Sequence, residues 1–177
     1  MNIANKLTIL RIILIPIFIV LLINGYNYFA AIVFIVASLT DALDGYLARK
    51  YNLISNFGKI MDPLADKLLV TSAMICLVDL DEIAGWMVIV ILAREFIVTG
   101  LRAVAAGEGI IISAGKSGKI KTVLQMVSLT LILLQNWPFS MFTNLQIGHI
   151  ILWLAVIMTV YSGMEYIIKN KQIFRIE

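Results

Sequence analysis

The sequence is poor in the residues that build soluble and secreted domains. Cysteine occurs once in 177 residues, which excludes a disulfide framework. Histidine also occurs once, at position 149, so a metal site built on several imidazoles is excluded. Proline occurs three times, and no Gly/Pro/Ser-rich stretch marks a linker or a second domain. Charged residues make up only 14%, against about a quarter in a soluble domain. Internal repeats and low-complexity segments are missing, as is the alternating pattern of a membrane β-barrel.

What fills the space is apolar. Hydrophobic residues account for 61% of the chain and the mean hydropathy is +0.97. A chain of this size cannot bury so much apolar surface in one core, so lipid must cover much of it. The net charge of +3 could suggest a nucleic-acid partner. The cations, however, collect in the breaks between apolar runs, and no nucleic-acid partner is expected.

Six apolar stretches run from about Leu7 to Ile23, Tyr28 to Ala48, Gly58 to Val78, Ile83 to Ala105, Lys119 to Leu134 and Leu145 to Ile168. Each is near the roughly 20 residues that an α-helix needs to cross about 30 Å of hydrocarbon. The expected fold is an all-α integral membrane protein of six transmembrane helices, forming a single domain over 1–177. Lys6 and Arg11 before an apolar run resemble the start of a signal peptide. No small-x-small cleavage site follows before Asn24-Gly25, and the segment reads as the first span.

The breaks orient the chain. Those at 24–27, 79–85 and 135–144 contain no Lys or Arg, and carry Tyr26, Tyr28, Trp86, Trp137 and Phe139 in or beside them. The alternate breaks hold Arg49, Lys50 and Lys59, then Arg102, Lys116, Lys119 and Lys121, with Lys169, Lys171 and Arg175 at the end. By the positive-inside rule both termini are cytoplasmic, and the aromatic residues form an outer belt.

Four aspartates are out of place in such a chain. Asp41 and Asp44 sit near the cytoplasmic end of the second helix, Asp62 and Asp66 near the cytoplasmic start of the third. A carboxylate at a helix centre costs about 2.5–3.5 kcal/mol on insertion scales, less near the interface. A capping role suits one or two of them, Asp62 before Pro63 for example, but not four at i, i+3 and i, i+4 spacing. Brought together, they form an all-oxygen site that favours Mg²⁺ or Mn²⁺ over zinc. Two ions about 3.5–4 Å apart would clamp an in-line phosphoryl displacement. Gly45 and Ala48 are small enough for close backbone approach by a ligand, or simply for helix packing. Arg49 could hold a phosphate or anchor the helix end at the headgroups.

A second polar group lies further along. Arg94, roughly ten residues into the fourth helix and so about 15 Å deep, should face a cavity or a partner. Glu95, one residue away and about 100° round the helix, is expected to be a poor direct partner for it. Glu95, Thr99 and Arg102 form one stripe; Lys121, Gln125 and Ser128 form another on the fifth helix. A basic pocket of Arg94, Arg102, Lys119 and Lys121 suits a phosphorylated acceptor better than an uncharged one. Lys116 and Lys119 also fit a plain positive-inside role. Glu165 and Cys76 receive no functional assignment.

The stretch from Asp41 to Asp66 matches D-x2-D-G-x2-A-R-x8-G-x3-D-x3-D at every fixed position. This pattern resembles the signature of the CDP-alcohol phosphotransferase family. Asn5-Lys-Leu-Thr8-Ile-Leu-Arg11, Asp62-Pro63-Leu-Ala-Asp66-Lys67, Ala93-Arg94-Glu95…Leu101-Arg102 and Gly118-Lys119-Ile-Lys121-Thr122 resemble its phosphatidylglycerophosphate-forming branch. The resemblance implies that Asp41, Asp44, Asp62 and Asp66 bind two divalent cations and that Asp66 is also the general base. It implies that Asn5, Thr8, Gly45, Ala48 and Arg49 contact the cytidine diphosphate part of CDP-diacylglycerol. It further implies sn-glycerol 3-phosphate as acceptor, a homodimer, and a cell-membrane enzyme with its active site towards the cytoplasm. Same-family rivals would use phosphatidylglycerol or an inositol phosphate as acceptor. An ion or proton transporter would instead need carboxylates spread across the membrane.

Overall fold

The computed structural model describes the backbone of residues 3–50, 56–107, 109 and 115–170, and within these the side chains of all but 3–5, 41–50, 56–60, 62 and 63. The described residues form six α-helices: α1 (Ile3–Ile23), α2 (Asn27–Lys50), α3 (Asn56–Asp79), α4 (Gly85–Gly107), α5 (Lys116–Leu133) and α6 (Ile147–Lys169). A single 3-10 turn, Phe139–Met141, lies between α5 and α6. The helices fall where the apolar runs place them, extended by a turn or less at most ends.

Three helices stop by the same device. Gly25 (φ +80°) follows α1, Asp81 (φ +56°) follows α3 and Gln135 (φ +53°) follows α5. Around each, one N–H reaches back three residues and the next reaches back five. The pairs are Gly25 to Leu22 and Tyr26 to Leu21, Asp81 to Val78 and Glu82 to Leu77, and Gln135 to Ile132 and Asn136 to Leu131. This left-handed closure satisfies carbonyls that a helix end otherwise orphans. Asn136 then accepts the Gly148 N–H at 2.7 Å, tying the end of α5 to the first turn of α6.

α1 packs against α2 and α3; α6 packs against α5 and α4; α2 and α5 join the two groups, with α3 touching α4 and α5. The core runs through Ile15, Phe18, Leu22, Phe34, Leu69, Met74, Leu77, Ile91, Leu129, Leu133 and Leu152. Phe18 and Phe34 meet with ring centroids 5.8 Å apart. Ala30, Ala31, Ala37 and Ala73 are wholly buried at the contacts, where small residues let helix backbones come close.

The outer faces are apolar too. Ile13, Ile17 and Val20 on α1, Phe29, Ile32 and Val36 on α2, and Trp153, Ile157 and Val160 on α6 are all exposed. A helix apolar on every side belongs in a large core or in lipid. Among the described residues, α1 (Lys6–Ile23) and α6 (Ile147–Lys169) are long and apolar enough to cross a membrane. The polar side chains that make the site come from α3, α4, α5 and the end of α6.

Short connections make neighbouring helices antiparallel. The end of α2, the start of α3, the end of α4, the start of α5 and the end of α6 therefore share one end of the bundle. Asp41, Asp44, Asp62 and Asp66 belong to it, as do Arg49, Lys50, Lys59, Lys67, Arg102, Lys116, Lys119 and Lys121 by their positions on these helices.

Candidate active site

The site is assembled around α4, which sends three polar side chains to three neighbours. Thr99 accepts a hydrogen bond from Lys67 on α3. Glu95 accepts one from Lys121 on α5 at 2.7 Å. Arg94 lies between α5 and α6: a Cβ added at Gly118 would come within 3.0 Å of its Nη2, and one at Gly163 within 3.2 Å of its Cγ. Two glycines on different helices thus make room for one arginine.

Two cavities result. The first lies between α3, α4 and α5 and is lined by Asp66, Lys67, Glu95, Lys121, Thr122 and Gln125 at its polar part, and by Val70, Met74, Ile91, Leu92 and Phe96 elsewhere. Asp66 is half-buried there. Lys121, only 1% exposed, lines the same cavity. Gln125 and Ser128 continue the α5 stripe inward, both buried as their spacing predicts. Gln125 donates to the sulfur of Met74 at 3.3 Å.

The second cavity, of about 250 Å³, lies between α4, α5 and α6 and is lined by Arg94, Arg102, Ser117, Ser162, Glu165, Tyr166 and Lys169, among others. The Arg102 guanidinium sits over the Tyr166 ring, 5.5 Å from its centroid. Arg94 Nε, Arg102 Nε and the Tyr166 hydroxyl are buried without a hydrogen-bond partner among the described residues. Two half-buried guanidiniums with donor capacity left over suit a phosphate, which accepts bidentate bonds from arginine. Glu165 accepts bonds from Ser117 and Lys169, joining the start of α5 to the end of α6.

The expected basic pocket is therefore divided. Lys121 belongs with Asp66, whereas Arg94 and Arg102 line the neighbouring cavity. Lys119 is exposed and lines neither. One expectation is overturned. Glu95 is a direct partner of Arg94, with Nη1 donating to Oε1 at 3.1 Å. The 100° between adjacent positions fixes only where the two side chains leave the helix. The long arginine folds back along the groove that Gly118 and Gly163 leave open.

On α1, Thr8 is wholly buried. The side chains of Asn5, Asp41, Asp44, Gly45, Ala48, Arg49 and Asp62 lie outside the described residues, although their backbone positions on α1, α2 and α3 are described. Among the described residues, no cluster of three or more His, Cys, Asp or Glu forms. The backbone nonetheless puts Asp41 and Asp44 at the same end of the bundle as Asp62 and Asp66, one turn apart within each pair. His149 is at the other end, with Nε2 2.8 Å from the Glu82 carbonyl oxygen.

Two side chains gain importance that sequence reasoning did not assign. Arg11 is 0% exposed and its Nε donates to the Ala37 carbonyl on α2 at 3.3 Å, one turn before Asp41. Its signal in the sequence is a cation inside the first apolar run. Lys67 shares the first cavity with Asp66; its signal was sequence adjacency alone.

Comparison with known proteins shows the family. Residues 1–161 match the CDP-alcohol phosphatidyltransferase family. A CDP-diacylglycerol–glycerol-3-phosphate 3-phosphatidyltransferase of Bacillus subtilis is 47% identical, over 96% of this chain and 95% of its own. One of Rickettsia typhi is 42% identical, over 93% and 94%. A probable phosphatidylglycerophosphate synthase of Mycobacterium tuberculosis is 36% identical, over 94% and 80%. A match of this extent, on a bundle whose Asp66 shares a cavity with Lys121, shows that the chain belongs to the CDP-alcohol phosphatidyltransferase family.

Proposed function

We propose that this protein transfers the phosphatidyl group of CDP-diacylglycerol to sn-glycerol 3-phosphate, releasing phosphatidylglycerophosphate and CMP. The names of its relatives supply both substrates. The observation that carries the reading is the pairing of cavities: a half-buried carboxylate, Asp66, lines one, and Arg94 and Arg102 wall its neighbour of about 250 Å³. An acceptor without a phosphate would leave the free donors, Arg94 Nε and Arg102 Nε, without an anionic partner in that cavity.

Arg94 and Arg102 hold the acceptor phosphate, with Lys121 adding positive charge on the side nearer Asp66. Asp66 takes the proton of the C1 hydroxyl. The hydroxyl oxygen bonds to the β-phosphorus of the donor as the bond from that phosphorus to the CMP oxygen breaks. Thr8, Asn5, Gly45, Ala48 and Arg49 hold the cytidine diphosphate part. Asp41, Asp44, Asp62 and Asp66 would hold two divalent cations, Mg²⁺ or Mn²⁺, whose charge offsets that of the diphosphate and stabilises the departing CMP.

The chain spans the cell membrane six times, with both termini and the site on the cytoplasmic side, and works as a homodimer. The apolar outer faces and the one-sided distribution of Lys and Arg support the placement. A site at that surface meets a lipid donor from the bilayer and a water-soluble acceptor from the cytoplasm.

The test offers purified protein in mixed micelles CDP-diacylglycerol with each acceptor in turn. Release of CMP with sn-glycerol 3-phosphate, and not with phosphatidylglycerol or an inositol phosphate, is the expected result. Release with either of the others alone refutes the acceptor assignment.

A further inference from the structure

A carboxylate beside a site that receives an anionic substrate repels it, so its presence has to be explained. Glu95 is such a group. Its Oε1 accepts from Arg94 Nη1 at 3.1 Å and from Lys121 Nζ at 2.7 Å. The two donors come from different helices and line different cavities, Lys121 with Asp66 and Arg94 with Arg102. Both are well buried, with side-chain exposures of 2% for Lys121 and 13% for Arg94. Two cations so close would drive each other apart without the shared oxygen, and a lysine has four rotatable bonds through which to move away. Glu95 makes the separation between Lys121 and Arg94 a property of one atom.

Resting on the acceptor reading above, we propose that Glu95 is a positioning residue that selects the acceptor by length. By drawing Arg94 and Lys121 onto one oxygen, it fixes where the acceptor phosphate sits relative to Asp66. Acceptors whose hydroxyl lies two carbons beyond the phosphate-bearing carbon, as in a three-carbon polyol phosphate, then present that hydroxyl to the base. Longer hydroxyalkyl phosphates overshoot. Glu95 itself touches neither the reacting oxygen nor the phosphorus.

The experiment compares full-length wild type, Glu95→Gln and Glu95→Asp in mixed micelles, with sn-glycerol 3-phosphate and 4-hydroxybutyl phosphate as alternative acceptors. Glutamine keeps an accepting oxygen but loses the charge; aspartate keeps the charge but is one methylene short. In both variants the acceptor KM should rise about tenfold, the loss of one charged hydrogen bond. The donor KM should stay unchanged, and the preference for the shorter acceptor should shrink by a similar factor. Variants that lose kcat and raise both KM values while keeping the wild-type preference overturn the proposal, because a purely structural Glu95 behaves so. A preference unchanged in Glu95→Asp alone overturns it as well, should Glu95→Gln fail to fold. If wild type itself releases no CMP with sn-glycerol 3-phosphate, the acceptor reading falls and the proposal with it.

Discussion

Lys121 on α5 donates to Glu95 on α4 at 2.7 Å, with the lysine almost wholly buried and the carboxylate a quarter exposed. Burying an ammonium is tolerated only where a counter-charge meets it. Here the counter-charge also binds Arg94, so one carboxylate serves two helices. Lys121→Met keeps the length and volume of the side chain and removes the charge. The acceptor kcat/KM should fall about tenfold to a hundredfold, the range for one charge-assisted contact of about 1.4–2.8 kcal/mol. Steady-state kinetics with each substrate varied separately will show the loss on the acceptor side. A loss confined to the donor would move Lys121 out of the acceptor site.

Arg94 owes its place to two absent side chains. A methyl group at Gly163 would stand 3.2 Å from Arg94 Cγ, tighter than carbon atoms normally pack. Gly163→Ala should therefore push the arginine stem and raise the acceptor KM by about threefold to tenfold, or about 0.7–1.4 kcal/mol. Its unfolding temperature in detergent should stay within a few degrees of wild type, because the methyl meets a flexible side chain and not backbone. An unaltered acceptor KM would mean that Arg94 does not bind from this position.

Asp66 is the described aspartate of the signature and stands beside the cations. Asp66→Asn preserves shape and removes the base. Turnover should drop by about 10²–10⁴-fold, the usual contribution of a positioned proton acceptor, or further if cation binding is lost with it. Expression and helix content by circular dichroism should match wild type. Near-normal turnover would refute its role.

Chelation tests the aspartates as a group. Exhaustive treatment with EDTA should abolish CMP release, and Mg²⁺ or Mn²⁺ should restore it. Turnover that survives chelation would leave the four carboxylates without the charges proposed to hold them together. Direct binding of Mn²⁺, followed by electron paramagnetic resonance, should weaken in Asp41→Asn and Asp44→Asn alike.

The legible parts of this molecule were the local ones. The six helices follow the apolar runs, because each run is long enough for about 20 mostly apolar helical residues and is bounded by polar breaks. Gly25 could be read as a stop, since glycine adopts positive φ freely; Asp81 and Gln135 use the same closure without the glycine that would announce it. The α5 stripe of Lys121, Gln125 and Ser128 pointed inward as its spacing requires. The pairing of Arg94 with Glu95 was missed because helical angles describe where a side chain starts, and an arginine is long enough to end elsewhere. Arg11 was missed because a cation near a chain end looks like a flank until a neighbouring carbonyl is found over it.

The sequence by itself determined the helices, the one-sided distribution of charge and the spacing of the aspartates, since all three depend on residues within a turn or two of each other. Only the tertiary structure decided that Lys121 joins Asp66 while Arg94 and Arg102 line a separate cavity, and that Glu95 stands between them. Those relations are set by which helix faces meet and how closely. That depends on the glycines and alanines of partners dozens of residues away, and no periodicity along one strand of sequence encodes it.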